Sequence, residues 1–194
     1  MSQTFSEFFQ AATTHSPYPY QCRLACGEGA TAKNPTAPAS STTCQSLLIN
    51  IPTGLGKTAA VTLAWLYNRV ALPSQFSNPS SAMRDPLAPW PRRLVYCLPM
   101  RTLVEQTFNE TQTWLKKLNL SESVGIHLLM GGEDAGEWDI HPEKNAILIG
   151  TQDMLLSRAL SQRDHLGSFL LTFLEILLHA ADARASASTK PIWP

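Results

Sequence analysis

Four short apolar runs lie along the chain. Longer segments separate them, and several of these segments are rich in helix-forming residues. The runs occupy residues 46–51, 94–98, 124–130 and 146–151. Continuous apolar runs of this length are typical of parallel strands that are buried on both faces of a sheet. The pattern therefore predicts an α/β fold, with a mostly parallel sheet and flanking helices.

Helices are predicted between and before these runs. Residues 5–26 are helical in parts, with a break at residues 17–20, where two prolines interrupt the pattern. A helix over 58–71 follows the first run after the short segment 52–57, and another begins at about residue 99 and continues to about 118. Trp114 falls at helical spacing on this last helix, so packing against the core is favoured over stacking on a base.

Two long segments have the composition of loops. Residues 27–45 are rich in Gly, Ala, Thr, Ser and Pro, and residues 72–93 contain several prolines and serines. The second is too long for a tight turn and is interpreted as an insertion between the first sheet helix and the second strand. Residues 133–145 carry several carboxylates, for which a solvated acidic loop is favoured over a metal site.

These features divide the chain into three parts. Residues 1–45 form an N-terminal segment, residues 46–160 contain the predicted sheet, and residues 161–194 form a divergent tail with one apolar helix at 166–181. This helix contains Glu175 and falls short of the ~20 apolar residues that a membrane span requires. We therefore expect it to be buried against protein, and we predict no membrane association.

The charge balance limits the classes of partner. Lys and Arg total 15 and Asp and Glu total 15, so the formal net charge is zero. This balance gives no support to a strongly basic nucleic-acid clamp, although local loops could still contact a strand. The four cysteines lack the paired spacing of zinc ligands, and the chain does not open with a signal peptide, so we predict reduced thiols and a cytoplasmic location.

The segment from Thr53 to Thr58 has the clearest chemical signature. It reads Thr-Gly-Leu-Gly-Lys-Thr and lies between an apolar run and a helix-forming segment, the order found in phosphate-binding loops. Its glycines allow backbone N–H groups to close on an anion, while Lys57 would reach the β- and γ-phosphates and Thr58 would bind Mg²⁺. ATP and Mg²⁺ are thus the predicted ligands, with ATP held by Thr53, Gly54, Leu55, Gly56, Lys57 and Thr58.

One position departs from the full motif G-x-x-x-x-G-K-[ST], because Ile51 stands where the first glycine is expected. The alternative interpretation is a plain turn between strand and helix that requires small residues. Lys and Thr directly after Gly-x-Gly have no packing reason in such a turn. Nucleotide binding is therefore the favoured interpretation.

A second candidate site follows the strand predicted at 94–98. Arg101 and Thr102 come just after Pro99, at the carboxyl edge of the predicted sheet, where open α/β folds bind their ligands. A cation and a hydroxyl at a helix N-terminus suit a phosphate of a nucleic-acid backbone. The alternative is that Arg101 is simply solvated at the start of its helix.

The ordered set of motifs resembles the superfamily 2 helicases, which carry a small or apolar residue at the position of Ile51. The resemblance implies the first RecA-like domain of a P-loop NTPase. It assigns Gln21 to adenine, since an amide offers both a donor and an acceptor; the alternative is a surface glutamine at a helix start. It also implies backbone contacts to nucleic acid by the paired glycines and the last strand end, at Gly131, Gly132, Thr151 and Gln152.

Three segments specifically resemble the helicase of type I CRISPR interference. They are Asn50–Thr58, Leu98–Thr107 and Gly150–Leu160. That family joins an ATP-driven single-strand translocase to a histidine-aspartate metal nuclease. The resemblance implies single-stranded DNA and a guide-RNA surveillance complex as partners of the full-length protein.

The sequence also departs from this family. Three features of the family are not found in this sequence. They are the histidine-aspartate nuclease pair, the Asp-Glu-x-His sequence that positions Mg²⁺ and water, and the second motor domain with its arginine finger. Because the helicase pattern stops near Leu160, we expect a C-terminally incomplete domain from a truncated or frameshifted product that does not hydrolyse ATP. The alternatives are another superfamily 2 motor, such as a restriction translocase or an RNA helicase, and a non-catalytic remnant that binds nucleic acid.

Overall fold

The computed structural model describes five stretches of the chain, residues 3–27, 47–72, 90–131, 140–141 and 143–161. Most of the predicted loops at 27–45 and 72–93, most of the acidic segment 133–145 and all of the apolar helix 166–181 lie outside the described residues. The boundaries predicted at residues 45 and 160 lie at or near the ends of described stretches, so the division of the chain into three parts stays a prediction.

Five α-helices, one π-helical turn and three strands make up the described part. They are α1 (Phe5–Thr13), α2 (Pro19–Cys26), α3 (Lys57–Leu66) with the π-helical turn Tyr67–Ala71, β1 (Arg93–Leu98), α4 (Arg101–Lys117), β2 (Val124–Leu129), β3 (Asn145–Thr151) and α5 (Gln152–Ser161). The helices predicted over 5–26, with their proline break, over 58–71 and over 99–118 are thus confirmed.

The three strands form one parallel sheet in the order β1-β3-β2. The central strand β3 is buried along most of its length, and its side chains alternate between two cores because successive residues of a strand point to opposite faces. Ile147 and Ile149 pack with α3 and α4, whereas Ala146 and Leu148 pack with Leu155 of α5. Helices therefore cover both faces, which confirms the predicted RecA-like α/β fold.

The N-terminal helices α1 and α2 complete the larger core. Thr4 and Glu7 cap α1 reciprocally, and its apolar face places Phe5 and Phe8 against the ring of Tyr67. Trp114 is partly buried against the same core, as predicted. This packing fixes α2 beside α3, and α2 begins with the residues that contact the candidate nucleotide site.

The strand predicted over 46–51 is wrong for the residues that the structure describes. Residues 47–51 have no regular secondary structure, and the side chains of Leu47 and Leu48 are 52% and 57% exposed. A strand forms where a neighbouring strand pairs its backbone N–H and C=O groups. The three described strands pair with one another and leave residues 47–51 without such a neighbour.

The expectation that 94–98 is a buried strand also needs correction. β1 is half-buried, and Cys97 is exposed. The reason is its position at the edge of the described sheet, where β3 is its one partner. Central and edge strands have similar apolar sequences here, so hydrophobicity alone does not distinguish them.

Among the described residues, none of the helices has the length and apolar character needed to cross a membrane.

Gly150 is predicted to be required by packing at the end of β3. A Cβ atom at this position would lie 2.6 Å from the Leu129 carbonyl oxygen and 2.8 Å from the Leu129 Cβ, neither of which is free to move. We expect Gly150→Ala to lower the free energy of unfolding by about 1–3 kcal/mol, measured by urea denaturation with tryptophan fluorescence. The matched control is Gly131→Ala, whose nearest neighbour is the flexible end of Arg101 at 3.3 Å. Equal unfolding midpoints for the two variants would contradict this packing argument.

Candidate nucleotide and nucleic-acid sites

The phosphate-binding loop turns directly into α3. Gly54 and Gly56 have φ angles of +88° and +72°, in the left-handed region that favours glycine, and Gly56 is the N-cap residue of the helix. The first intrahelical bond runs from the N–H of Ala60 to the Gly56 carbonyl, so helix geometry leaves the preceding N–H groups without intrahelical acceptors. Gly56 has no side chain to cap them. The loop thus presents several N–H donors and the positive end of the helix dipole to an anion.

The Lys57 ammonium lies back over the start of the loop. Its Nζ donates to the carbonyl of Ile51 at 2.7 Å and to the carbonyl of Pro52 at 3.2 Å. The residue at position 51 therefore acts through its backbone oxygen. This explains in physical terms why isoleucine is acceptable where the full motif has glycine, because any residue supplies a carbonyl.

The Thr58 hydroxyl, predicted to bind Mg²⁺, is linked to the sheet. Tyr96 of β1 donates a hydrogen bond from its hydroxyl to the Thr58 Oγ1 at 3.3 Å. The described residues contain no group of three or more potential ligands of the His, Cys, Asp and Glu types. The Thr58 hydroxyl is an oxygen donor of the type that Mg²⁺ prefers, so its contribution to a Mg²⁺ site stays a prediction.

Gln21 is buried beside the loop, with 1% of its surface exposed, so the alternative of a surface glutamine is wrong. Its Oε1 accepts from the N–H of Tyr18 at 2.8 Å, and its Nε2 donates to the Gly56 carbonyl at 3.1 Å and to the Tyr20 hydroxyl at 3.3 Å. The Tyr20 hydroxyl in turn donates to the Leu55 carbonyl. Together Tyr20 and Gln21 form a clasp, two adjacent side chains of α2 that hold two adjacent carbonyls of the loop.

The second candidate site lies at the carboxyl ends of the parallel strands. The end of β1 pairs with the end of β3 at Leu98 and Thr151, and the end of β2 is in register with Gly150. The guanidinium of Arg101 lies 3.3 Å from the position that a Cβ of Gly131 would occupy. The structure therefore brings together two residues that the sequence separates by a helix and a strand.

The remaining predicted contacts surround this point. Thr102 and Gln152 are exposed in the first turns of α4 and α5, and Thr151 is half-buried at the end of β3. Asp153 adds a carboxylate to the first turn of α5, which reduces the positive character of this edge. Gly132 lies outside the described residues, so its predicted contact is not located.

Two residues of the nucleotide site were not assigned by the sequence. Tyr20 stands next to Gln21, and adjacency to a candidate binding residue is a usable signal. Tyr96 lies within an apolar strand, and its approach to Thr58 depends on how α3 crosses β1. No local pattern predicts that crossing.

Because Gln21 lies against Gly56, an alanine substitution is expected to be more destabilising at position 56 than at position 54. Alanine at either position incurs about 1–2 kcal/mol for the left-handed backbone, but only at Gly56 would the Cβ approach Gln21, with Nε2 at 3.0 Å. We expect Gly56→Ala to be about 1 kcal/mol more destabilising than Gly54→Ala in guanidinium unfolding. Repeating both changes in a Gln21→Ala background should remove the difference. A difference that persists there would show that Gln21 is not its cause.

Comparison with known proteins identifies the family. A family model described as DEAD/DEAH box helicase matches residues 35–176, which is more than half of the chain and extends on both sides of the boundary predicted at residue 160. Comparison with curated proteins and with solved structures gave no significant match. The family match agrees with the phosphate loop that turns into α3. It also agrees with the parallel sheet that is flanked by helices. The chain belongs to the DEAD/DEAH box helicase family and contains an ATP-binding, helicase-type motor domain.

Proposed function

We propose that this chain binds Mg²⁺-ATP as part of the first motor domain of a superfamily 2 DNA translocase. The observation that carries the proposal is that the candidate nucleotide site and the candidate nucleic-acid site lie close together at one edge of the sheet. The phosphate loop contacts β1 through Tyr96 and Thr58, and β1 leads within a few residues to Arg101. A nucleotide and a nucleic-acid backbone would therefore bind at neighbouring points on one edge of the sheet.

In the proposed binding mode, Lys57 leaves the carbonyls of Ile51 and Pro52 and donates to the β- and γ-phosphates. The N–H groups at the start of α3 bind phosphate oxygens, and Thr58 contributes its hydroxyl to Mg²⁺. The cation neutralises phosphate charge when it is bound with the nucleotide. The positive φ angles of Gly54 and Gly56 form the backbone turn that this binding mode requires.

Gln21 supports adenine selection through its remaining hydrogen-bonding capacity. Both donors of its amide are used, by Gly56 and by Tyr20, and one of its two acceptor positions is used by the N–H of Tyr18. The free acceptor position suits the exocyclic amine of adenine. Guanine presents a carbonyl oxygen at the same place, which would face the Gln21 oxygen unfavourably.

The nucleic-acid partner proposed is a single DNA strand. The support is the cation of Arg101 beside the open backbone of Gly131, with the hydroxyls of Thr102 and Thr151 and the amide of Gln152 at the starts of two helices. Such contacts bind the sugar-phosphate backbone and do not read sequence. A motor that moves along DNA needs this kind of contact.

The resemblance of segments 50–58, 98–107 and 150–160 supports a place in type I CRISPR interference, an antiviral defence, with a guide-RNA surveillance complex as a partner in the cytoplasm. A second candidate is a non-catalytic remnant that binds nucleic acid. It is favoured by the absence of an Asp-Glu-x-His sequence from the 194 residues, because such carboxylates hold Mg²⁺ and orient the attacking water. We propose that these residues alone bind ATP without hydrolysing or unwinding.

Replacement of Lys57 tests the nucleotide site. We expect Lys57→Ala to weaken ATP binding by about 10- to 100-fold in isothermal titration calorimetry, because charge-assisted bonds to phosphate are lost. The matched control is Lys117→Ala, at the far end of α4, which should bind like the unaltered chain. Unchanged affinity of Lys57→Ala would refute the assignment of the loop. Measurable ATP turnover by the unaltered chain would refute the non-hydrolysing part of the proposal.

Replacement of Arg101 tests the nucleic-acid site. We expect Arg101→Ala to weaken binding of a fluorescent oligothymidine by about 3- to 10-fold and to reduce the slope of log affinity against log salt by about 0.7, the value for one phosphate contact to a single strand. Fluorescence anisotropy measures both quantities.

The control for this experiment is Arg92→Ala, since Arg92 precedes β1 at the opposite edge of the sheet. An equal loss in both variants would indicate non-specific attraction and contradict the site. Tighter binding of the matching RNA oligomer than of DNA would instead support an RNA helicase.

A further inference from the structure

The clasp contains one residue to which the proposed function gives no role. Tyr20 lies in the first turn of α2, and its hydroxyl reaches across 35 positions of sequence to donate to the Leu55 carbonyl. The same hydroxyl oxygen accepts from Gln21 Nε2. Its ring is stacked on that of Tyr18, with centroids 6.3 Å apart and planes inclined by 14°. The hydroxyl is therefore held in place on both sides.

The geometry of the peptide bond gives this contact a consequence for phosphate binding. In a trans peptide the C=O and N–H groups point in opposite directions, and no described peptide is cis. Tyr20 holds the carbonyl of the Leu55–Gly56 peptide, so the N–H of Gly56 faces away from α2. Gln21 and the N–H of Ala60 hold the next carbonyl, so the N–H of Lys57 also faces away.

These two N–H groups are the first of the donors that α3 offers to an anion. In an unrestrained loop, the peptide plane before Gly56 could rotate, because glycine permits a wide range of φ angles. Rotation would turn the Gly56 N–H out of the phosphate site and turn a carbonyl oxygen towards it. A carbonyl oxygen repels phosphate.

We propose that Tyr20 is a positioning residue for the nucleotide phosphates, whose hydroxyl fixes the Leu55–Gly56 peptide with its N–H directed at the phosphate site. The inference rests on the proposed nucleotide function. It divides the clasp into two tasks, with Gln21 facing the base and Tyr20 acting on the phosphates through the loop. Burial raises the pKa of the Tyr20 hydroxyl above its usual value, so the group stays a protonated donor at neutral pH.

The division of tasks predicts a distinctive pattern of binding. Tyr20→Phe removes the hydroxyl and keeps the ring, so we expect affinity for ATP, GTP and inorganic tripolyphosphate to fall by the same factor, about 3- to 10-fold. Tyr18→Phe is the matched control, because it keeps the half-exposed ring that stacks on Tyr20 and the backbone N–H that donates to Gln21, and it should bind all three ligands normally. Calorimetric titration of the 194-residue chain measures each affinity.

Three outcomes overturn the inference: normal affinity of Tyr20→Phe for all three ligands, a loss confined to ATP, or an equal loss in Tyr18→Phe. Amide hydrogen exchange of the ligand-free chain gives a second measurement. Exchange over residues 53–58 should be faster in Tyr20→Phe than in Tyr18→Phe, and equal rates would also overturn the inference. Unchanged ATP binding by Lys57→Ala would instead refute the nucleotide function itself, so the two failures are distinguishable.

Discussion

Parallel pairing of β3 with both of its neighbours is the constraint on which the rest of the structure depends. Because the strands run in the same direction, every chain segment that leaves the sheet does so at one edge. Two of these segments pass immediately into helices, at Arg101 and Gln152, whose N-termini carry partial positive charge. The positive ends of α4 and α5 are therefore placed at this edge by topology, before any side chain contributes.

The phosphate loop depends on backbone groups more than on side chains. Lys57 is held by the carbonyls of Ile51 and Pro52, and the loop itself is held by bonds to the carbonyls of Leu55 and Gly56. Side chains at positions 51 and 55 can therefore vary while the loop keeps its shape. Glycine is needed only where φ is positive, and at position 56 also where Gln21 comes close.

Much of this architecture could be predicted because its determinants are local. The glycines, Lys57 and Thr58 all lie within the short segment 54–58, and the apolar run of β3 marks a strand that is buried on both faces. The strand predicted at 46–51 was wrong because strand formation depends on a partner, which local hydrophobicity does not supply. The half-exposure of β1 has the same origin, since edge position is a property of strand order.

The contacts that were not predicted all join distant parts of the chain. Tyr20 with Leu55, Tyr96 with Thr58, and Arg101 with Gly131 each depend on the packing of one element against another. The resemblance to helicases indicated that Gln21 is a candidate adenine-binding residue. Its burial against Gly56 results from the packing of α2 on α3, which the resemblance did not predict. Motifs therefore predicted the candidate residues, and tertiary packing determined their geometry.

The hydrogen bonds of Lys57 to the loop affect how ATP affinity should be interpreted. Its ammonium donates to two carbonyls, so in the proposed binding mode phosphate exchanges these bonds and does not simply add new ones. The net gain comes from replacing neutral carbonyl acceptors by charged phosphate oxygens, which form stronger bonds to an ammonium. The carbonyls that Lys57 leaves at positions 51 and 52 then need water or another donor. The free energy of ATP binding is accordingly smaller than the number of its contacts to the loop would suggest.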